Sequence, residues 1–127
     1  MLILFILAGC AMKIDATKAQ AMVENLLEDL KHEKYDDIEK YYSSASNDTE
    51  PLDKKIAKYN KLKDVTGSIQ SYSLISSILK YDDDKNLNEL ELKYKVNCEK
   101  LTLTETFLII NDEGDYKIIF QNMENEE

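Results

Sequence analysis

The sequence predicts an α+β domain in which N-terminal helices pack on one face of a curved antiparallel sheet. Apolar residues recur every three or four positions from Ala19 to Val65, the period falls to two beyond Gly67, and the helical stretch precedes all of the strands. Helices followed by consecutive strands joined by short loops give an α+β order rather than the alternation of a parallel-sheet protein.

The elements follow from these periods. Ala19, Met22, Val23, Leu26, Leu27 and Leu30 form one stripe of a helix over 16–31, with Glu24, Glu28 and Lys31 outside it. Tyr35, Ile38, Tyr41 and Tyr42 suggest a second, short helical piece, and 43–50 reads as a polar loop. Pro51 stands where a third helix starts; Leu52, Ile56, Tyr59 and Leu62 share one face, and Gly67 ends it. Segment 68–81 is a less regular first strand. Segment 88–99 alternates almost perfectly, with Leu90, Leu92, Tyr94, Val96 and Cys98 on one side and Glu89, Glu91, Lys93, Lys95 and Asn97 on the other. The third strand, 102–110, carries Leu103, Phe107 and Ile109 on its apolar side, and the fourth spans 116–122. Between them Asn111-Asp112-Glu113-Gly114-Asp115 is a hairpin loop, and 123–127 reads as an acidic tail that frays.

Composition narrows the function classes. The 127 residues are 43% hydrophobic and 32% charged with a single Pro, which fits one folded domain at 16–122 that needs no cofactor for stability. The basic residues are all Lys, and 25 acidic residues leave a formal charge of -9. Nucleic-acid binding needs a basic face that displaces counterions from phosphates, so that class is excluded.

The opening run Met1 to Gly9 is uncharged, apolar on every side and too short to span a bilayer, which takes about 20 apolar residues. It has the pattern of a secretory h-region. Leu7-Ala8-Gly9-Cys10 resembles the lipobox of bacterial lipoproteins. That resemblance implies that 1–9 is a signal peptide, truncated at its start since no Lys precedes it, and that Cys10 takes a diacylglyceryl group by a thioether. Segment 10–15 is then lipidated cysteine and spacer. Several acyl chains make such attachment effectively permanent. Ala11 and Met12 are not the aspartate that resembles an inner-membrane retention signal, which implies the outer membrane in a two-membrane bacterium, with the domain at the periplasmic or cell-surface side. Lipidation leaves Cys98 without a disulfide partner, and its place on an apolar face makes it a small core residue rather than a reactive thiol.

The order of helices and strands, the segment His32-Glu33-Lys34-Tyr35-Asp36-Asp37-Ile38, the helix ending Asp64-Val65-Thr66-Gly67-Ser68-Ile69 and the terminal Gly114-Asp115-Tyr116-Lys117-Ile118-Ile119 resemble the nuclear-transport-factor-2-like (cystatin-like) superfamily over 16–121. The resemblance implies a cone enclosing a pocket. Tyr35, Tyr41, Tyr42, Tyr59, Tyr72 and Tyr94 are candidates to line it, with Tyr35, Tyr42, Tyr59 and Tyr94 in front. Against this stands the ordinary use of tyrosine, which buries a ring and keeps its hydroxyl on a wet edge. Relatives often dimerise through the sheet, so a homodimer is open.

Catalytic and metal patterns are thin. His32 is the single histidine and sits near a helix end, where capping carbonyls or meeting solvent competes with catalysis. Asp82, Asp84 and Asn86 alternate as in a calcium loop, but Leu87 and Lys93 stand where such a loop needs Gly and Glu, which favours a charged hairpin connection. Lys54, Lys58 and Lys61 share a helical face, either solvated or touching anionic headgroups. No catalytic residue, metal ligand or cofactor is assigned. The expectation is a membrane-anchored lipoprotein that binds a protein or small molecule without catalysis. The alternatives are a small acid/base pocket enzyme, which requires a carboxylate of raised pKa deep in the pocket, and an immunity- or inhibitor-type protein with an acidic surface.

Overall fold

A computed structural model describes residues 12–126, so Cys10 and the segment before it lie outside the described residues. The first helix, α1, spans Ala16–Lys31, and its N-terminus is capped by Asp15, whose carboxylate accepts from the Thr17 and Lys18 amides at 2.9 and 3.4 Å. Ala19, Val23, Leu26, Leu27 and Leu30 are buried along its inner stripe. Glu24 and Glu28, expected outside that stripe, flank it and accept hydrogen bonds from Tyr94 and Tyr72 at 2.9 and 2.5 Å.

A 3-10 turn at Ile38–Tyr41 follows, and the chain then runs beside the last strand. The segment expected as a polar loop contains a helix, α2, at Ser44–Thr49. Ser43 caps it by accepting from the Ser46 amide at 3.2 Å. It buries no residue, so it leaves no hydrophobic period in the sequence. Helix α3 spans Leu52–Thr66 and stops at Gly67, where φ is +79°. A Cβ at Gly67 would lie 2.7 Å from the Glu99 Cβ, so both the backbone angle and the close approach require glycine.

Strands β1 (Ile69–Asp82), β2 (Leu87–Cys98), β3 (Thr102–Asp112) and β4 (Asp115–Asn125) pair antiparallel in that order as one open sheet. The chain is therefore an α+β protein with its helices before a four-stranded meander. The acidic tail is shorter than its composition suggested. Met123 to Asn125 continue β4 opposite Glu105 to Leu103, because the ladder is still open there and Met123 packs on the core.

The core lies between α1 and the face of β2 and β3 carrying Leu90, Leu92, Tyr94, Val96, Cys98, Leu103, Phe107 and Ile109. Each such side chain contributes roughly 1.5–3 kcal/mol of burial. Tyr94 sits edge-on to both Phe107 and Tyr72, with ring centroids 6.1 and 6.4 Å apart. Among the described residues no helix is long and apolar enough to cross a membrane.

Candidate functional site

On β3 the alternation places Glu105 between Leu103 and Phe107 on the core side, where it is 2% exposed. A carboxylate taken out of water without a bonded cation is held largely in its neutral form. Burial pushes the Glu105 carboxyl up to about 7, with the Gln121 amide and Lys58 pulling the other way. Its Oε1 accepts from Gln121 Nε2 at 3.1 Å, and Gln121 Oε1 accepts in turn from Tyr42 at 2.6 Å and Tyr59 at 3.2 Å. The two tyrosine hydroxyls are 2.8 Å apart, and burial raises both of their pKa values. A chain of polar groups thus crosses the interior from α3 through β4 to β3.

Lys55 extends this network outward. It is 1% exposed, donates to Asn47 Oδ1 at 3.1 Å and to the Glu50 carbonyl, and lies 4.6 Å from the centroid of the Tyr42 ring. Burial lowers its pKa. Because the Glu50 carbonyl follows α2, the ammonium satisfies acceptors at that helix's end and holds α2 against α3 and Tyr42.

Glu105 also floors a cavity of about 40 Å³ between the last turns of α1 and α3 and the start of β1. That is room for a few water-sized groups. Tyr59, Cys98 and Leu103 form its walls, and Thr66 and Gly67 one side. At the rim the Tyr35 ring stacks on Tyr59 at 6.1 Å and 16°, and Lys63 pairs with Glu33 at 2.6 Å. The bonded Glu33 carboxylate raises the Lys63 pKa.

The sequence candidates are divided by this geometry. Tyr35 and Tyr59 line the cavity, whereas Tyr42 stands behind Tyr59 and takes part through its hydroxyl. Tyr94 does not line the cavity: although it is the cross-strand neighbour of Glu105 on the β2–β3 ladder, it is fully buried and its hydroxyl bonds to Glu24, where it ties α1 to β2. Tyr41 and Tyr72 likewise donate to carboxylates of α1, to Asp29 at 2.6 Å and to Glu28. Glu28 is held below the usual carboxylate range chiefly by the Tyr72 hydroxyl.

His32 caps α1 and lies 3.4 Å from Glu28 at a largely exposed position. Cys98 is a buried free thiol whose pKa is raised by burial. Asp82 accepts from the Asp84 and Lys85 amides and so closes its hairpin turn. Lys54, Lys58 and Lys61 are exposed on α3, with Lys58 paired to Glu50 at 3.0 Å. Among the described residues no group of three or more His, Cys, Asp or Glu could hold a metal ion.

Glu105, Gln121 and Lys55 went unread in the sequence. Glu105 carried a signal, since it is the one charged residue in the apolar register Leu103, Glu105, Phe107, Ile109. No protein-family model and no curated protein matches the chain. Fold and site together define an α+β domain whose interior cavity ends on a titratable carboxyl.

Proposed function

We propose that the chain is a bacterial lipoprotein anchored through Cys10, and that its exported domain, a cone of the nuclear-transport-factor-2-like kind, binds a small donor-bearing ligand against Glu105. One observation carries the pocket reading: a carboxyl 2% exposed, bonded to a neutral amide, flooring a cavity. An ionised carboxylate in such a place is best satisfied by a small cation or hydrogen-bond donor. The Leu7-Ala8-Gly9-Cys10 motif supports the anchor.

A second reading, acid/base catalysis, draws on the same carboxyl, since a base of pKa about 7 is suited to proton transfer at neutral pH. It stands second because the nearby donors are committed: the Tyr42 and Tyr59 hydroxyls serve Gln121 and each other.

Two measurements test the proposal. Metabolic labelling with a fatty-acid analogue should mark the wild-type protein and fail for Cys10→Ala; labelling that survives the change removes the anchor. Titration with methylammonium, followed by amide chemical shifts, should perturb β3 and the end of α3, with affinity rising as pH passes about 7 and vanishing in Glu105→Gln. Shifts unaffected by pH or by that substitution would end the pocket reading.

A further inference from the structure

We propose that the free edge of the sheet is a self-association surface, on which β1 pairs antiparallel with β1 of a second copy about a two-fold axis at Ser77. This inference owes nothing to the cavity or the anchor. Strand β1 lies at the end of the sheet order, and among the described residues only β2 hydrogen-bonds to its backbone between Ser71 and Lys80. Leu74, Ile75, Ile78 and Leu79 are exposed on it, Leu79 to 61%. The usual protections of an edge are few here: no proline, no inward charge, and Lys80 as the single basic residue.

The occupant must supply backbone donors and acceptors as well as apolar side chains. Hydrocarbon cannot, because it would leave the outward N–H and C=O groups unpaired. A strand can. Charge then selects which strand: from Ile69 to Leu79 there is no ionisable side chain except the Tyr72 phenol, in a chain of formal charge -9. Two copies that repel elsewhere meet here without like charges facing each other.

The register is self-complementary, and a bulge makes it so. Leu74, Ser77 and Leu79 pair with Tyr94, Leu92 and Leu90 and therefore share the helix-side face, whereas Ser76 and Ile78 pair with Lys93 and Glu91 on the other. The register shift between Leu74 and Ser76 leaves Ile75 as an extra residue, so Leu74 and Leu79 lie equally far from Ser77 along the ladder. An axis through Ser77, normal to the sheet, sets Leu74 of one copy opposite Leu79 of the other, Ser76 opposite Ile78, and Lys80 opposite Ser73. No charged residue meets its like, and both first helices stay on the same side of the joined sheet.

Cross-linking and sedimentation of the full chain test this. In a Cys10→Ala background, Ser77→Cys should oxidise to a disulfide-linked dimer, because Cβ atoms directly opposed on the axis approach to about 4.5 Å at the short end of the cross-strand range, the upper limit that a disulfide spans. Ser73→Cys, equally exposed but off the axis, should not. Without oxidation the chain should dimerise reversibly, the dimer fraction rising with concentration, as expected of a small interface. Added salt should tighten association by screening the shared negative charge. Leu79→Lys, which enters a two-fold interface twice, should raise the Kd at least about tenfold while the circular dichroism spectrum is unchanged. Equal cross-linking at both positions, a monomer under all of these conditions, or binding of the Cys10→Ala chain to phosphatidylglycerol vesicles without self-association would each overturn the proposal.

Discussion

The two edges of the sheet are built in opposite ways. Beside β4 the chain returns as Tyr42 and Ser43: Tyr42 bridges Ile118, and the Ser43 amide donates to the Ile118 carbonyl at 3.0 Å. Behind that cover the side chains form a polar chain, buried at Lys55, Tyr42, Tyr59 and Glu105 and half-buried at Gln121, which links the tyrosines to Glu105. Beside β1 nothing returns among the described residues, and the side chains are apolar and exposed. A polar group in a core and an apolar group in water each cost stability, so a chain that does both on opposite edges is departing from the pattern that folds it best. The first departure leaves a carboxyl of raised pKa in the interior; the second leaves the strand edge that we propose a second copy completes.

The largest expected effect lies on the covered edge, at Glu105. Its carboxyl moves from an ordinary 4.5 to about 7 on folding, so between those values the folded chain holds more proton than the unfolded one. Stability should therefore fall as pH rises from about 4.5 to 7 and level off above. At roughly 1.4 kcal/mol per pH unit this amounts to about 3 kcal/mol. Glu105→Gln removes the charge, keeps the size and leaves an acceptor for Gln121. It should raise stability at pH 8 by up to about 3 kcal/mol and flatten that limb of the profile. Urea melts at pH 5, 6, 7 and 8 measure both. A slope that persists in the variant would mean that the burial of Glu105 is not what sets the covered edge apart.

A middle effect is expected at Tyr42. Removing its hydroxyl in Tyr42→Phe takes one donor from Gln121 and the 2.8 Å partner from Tyr59, while the Tyr59–Gln121 contact at 3.2 Å remains. The loss should be about 1–2 kcal/mol. In the same urea melts, a loss below a few tenths would show that the polar chain is not a connected network.

How much of this was legible in the sequence differs between the same two edges. The strands and the main helices declare themselves by period because each buries a stripe or a face; α1 falls on 16–31 as its apolar stripe requires. Helix α2 was not legible, since it is held by Ser43, Asn47 and Lys55 rather than by apolar contacts. The end of β4 was hidden by composition: Asn122 and Glu124 face outward and read as tail, although the backbone keeps pairing. Of the tyrosines, Tyr35, Tyr42 and Tyr59 gather toward the covered edge, whereas Tyr94, beside Glu105 on the ladder, turns its hydroxyl to Glu24. A phenol binds a helix carboxylate as readily as it borders a cavity, and residue type alone does not say which. The irregular period of β1 was visible and had a cause, the bulge at Ile75.

The smallest expected effect lies on the open edge and depends on concentration. Leu79 is 61% exposed, so Leu79→Ser removes little buried surface and should change the stability of a dilute monomer by less than about 0.5 kcal/mol. At concentrations well above the dimer Kd the wild type gains stability by mass action, because the paired form exists only when folded. The serine variant should gain less, so the gap between the two proteins should widen as both are concentrated. Melting temperatures across a hundredfold dilution series read this directly. A gap that is already large in the dilute limit would mean that Leu79 is covered within one chain, and a gap that stays small at every concentration would mean that the exposed strand has no partner strand of its own kind.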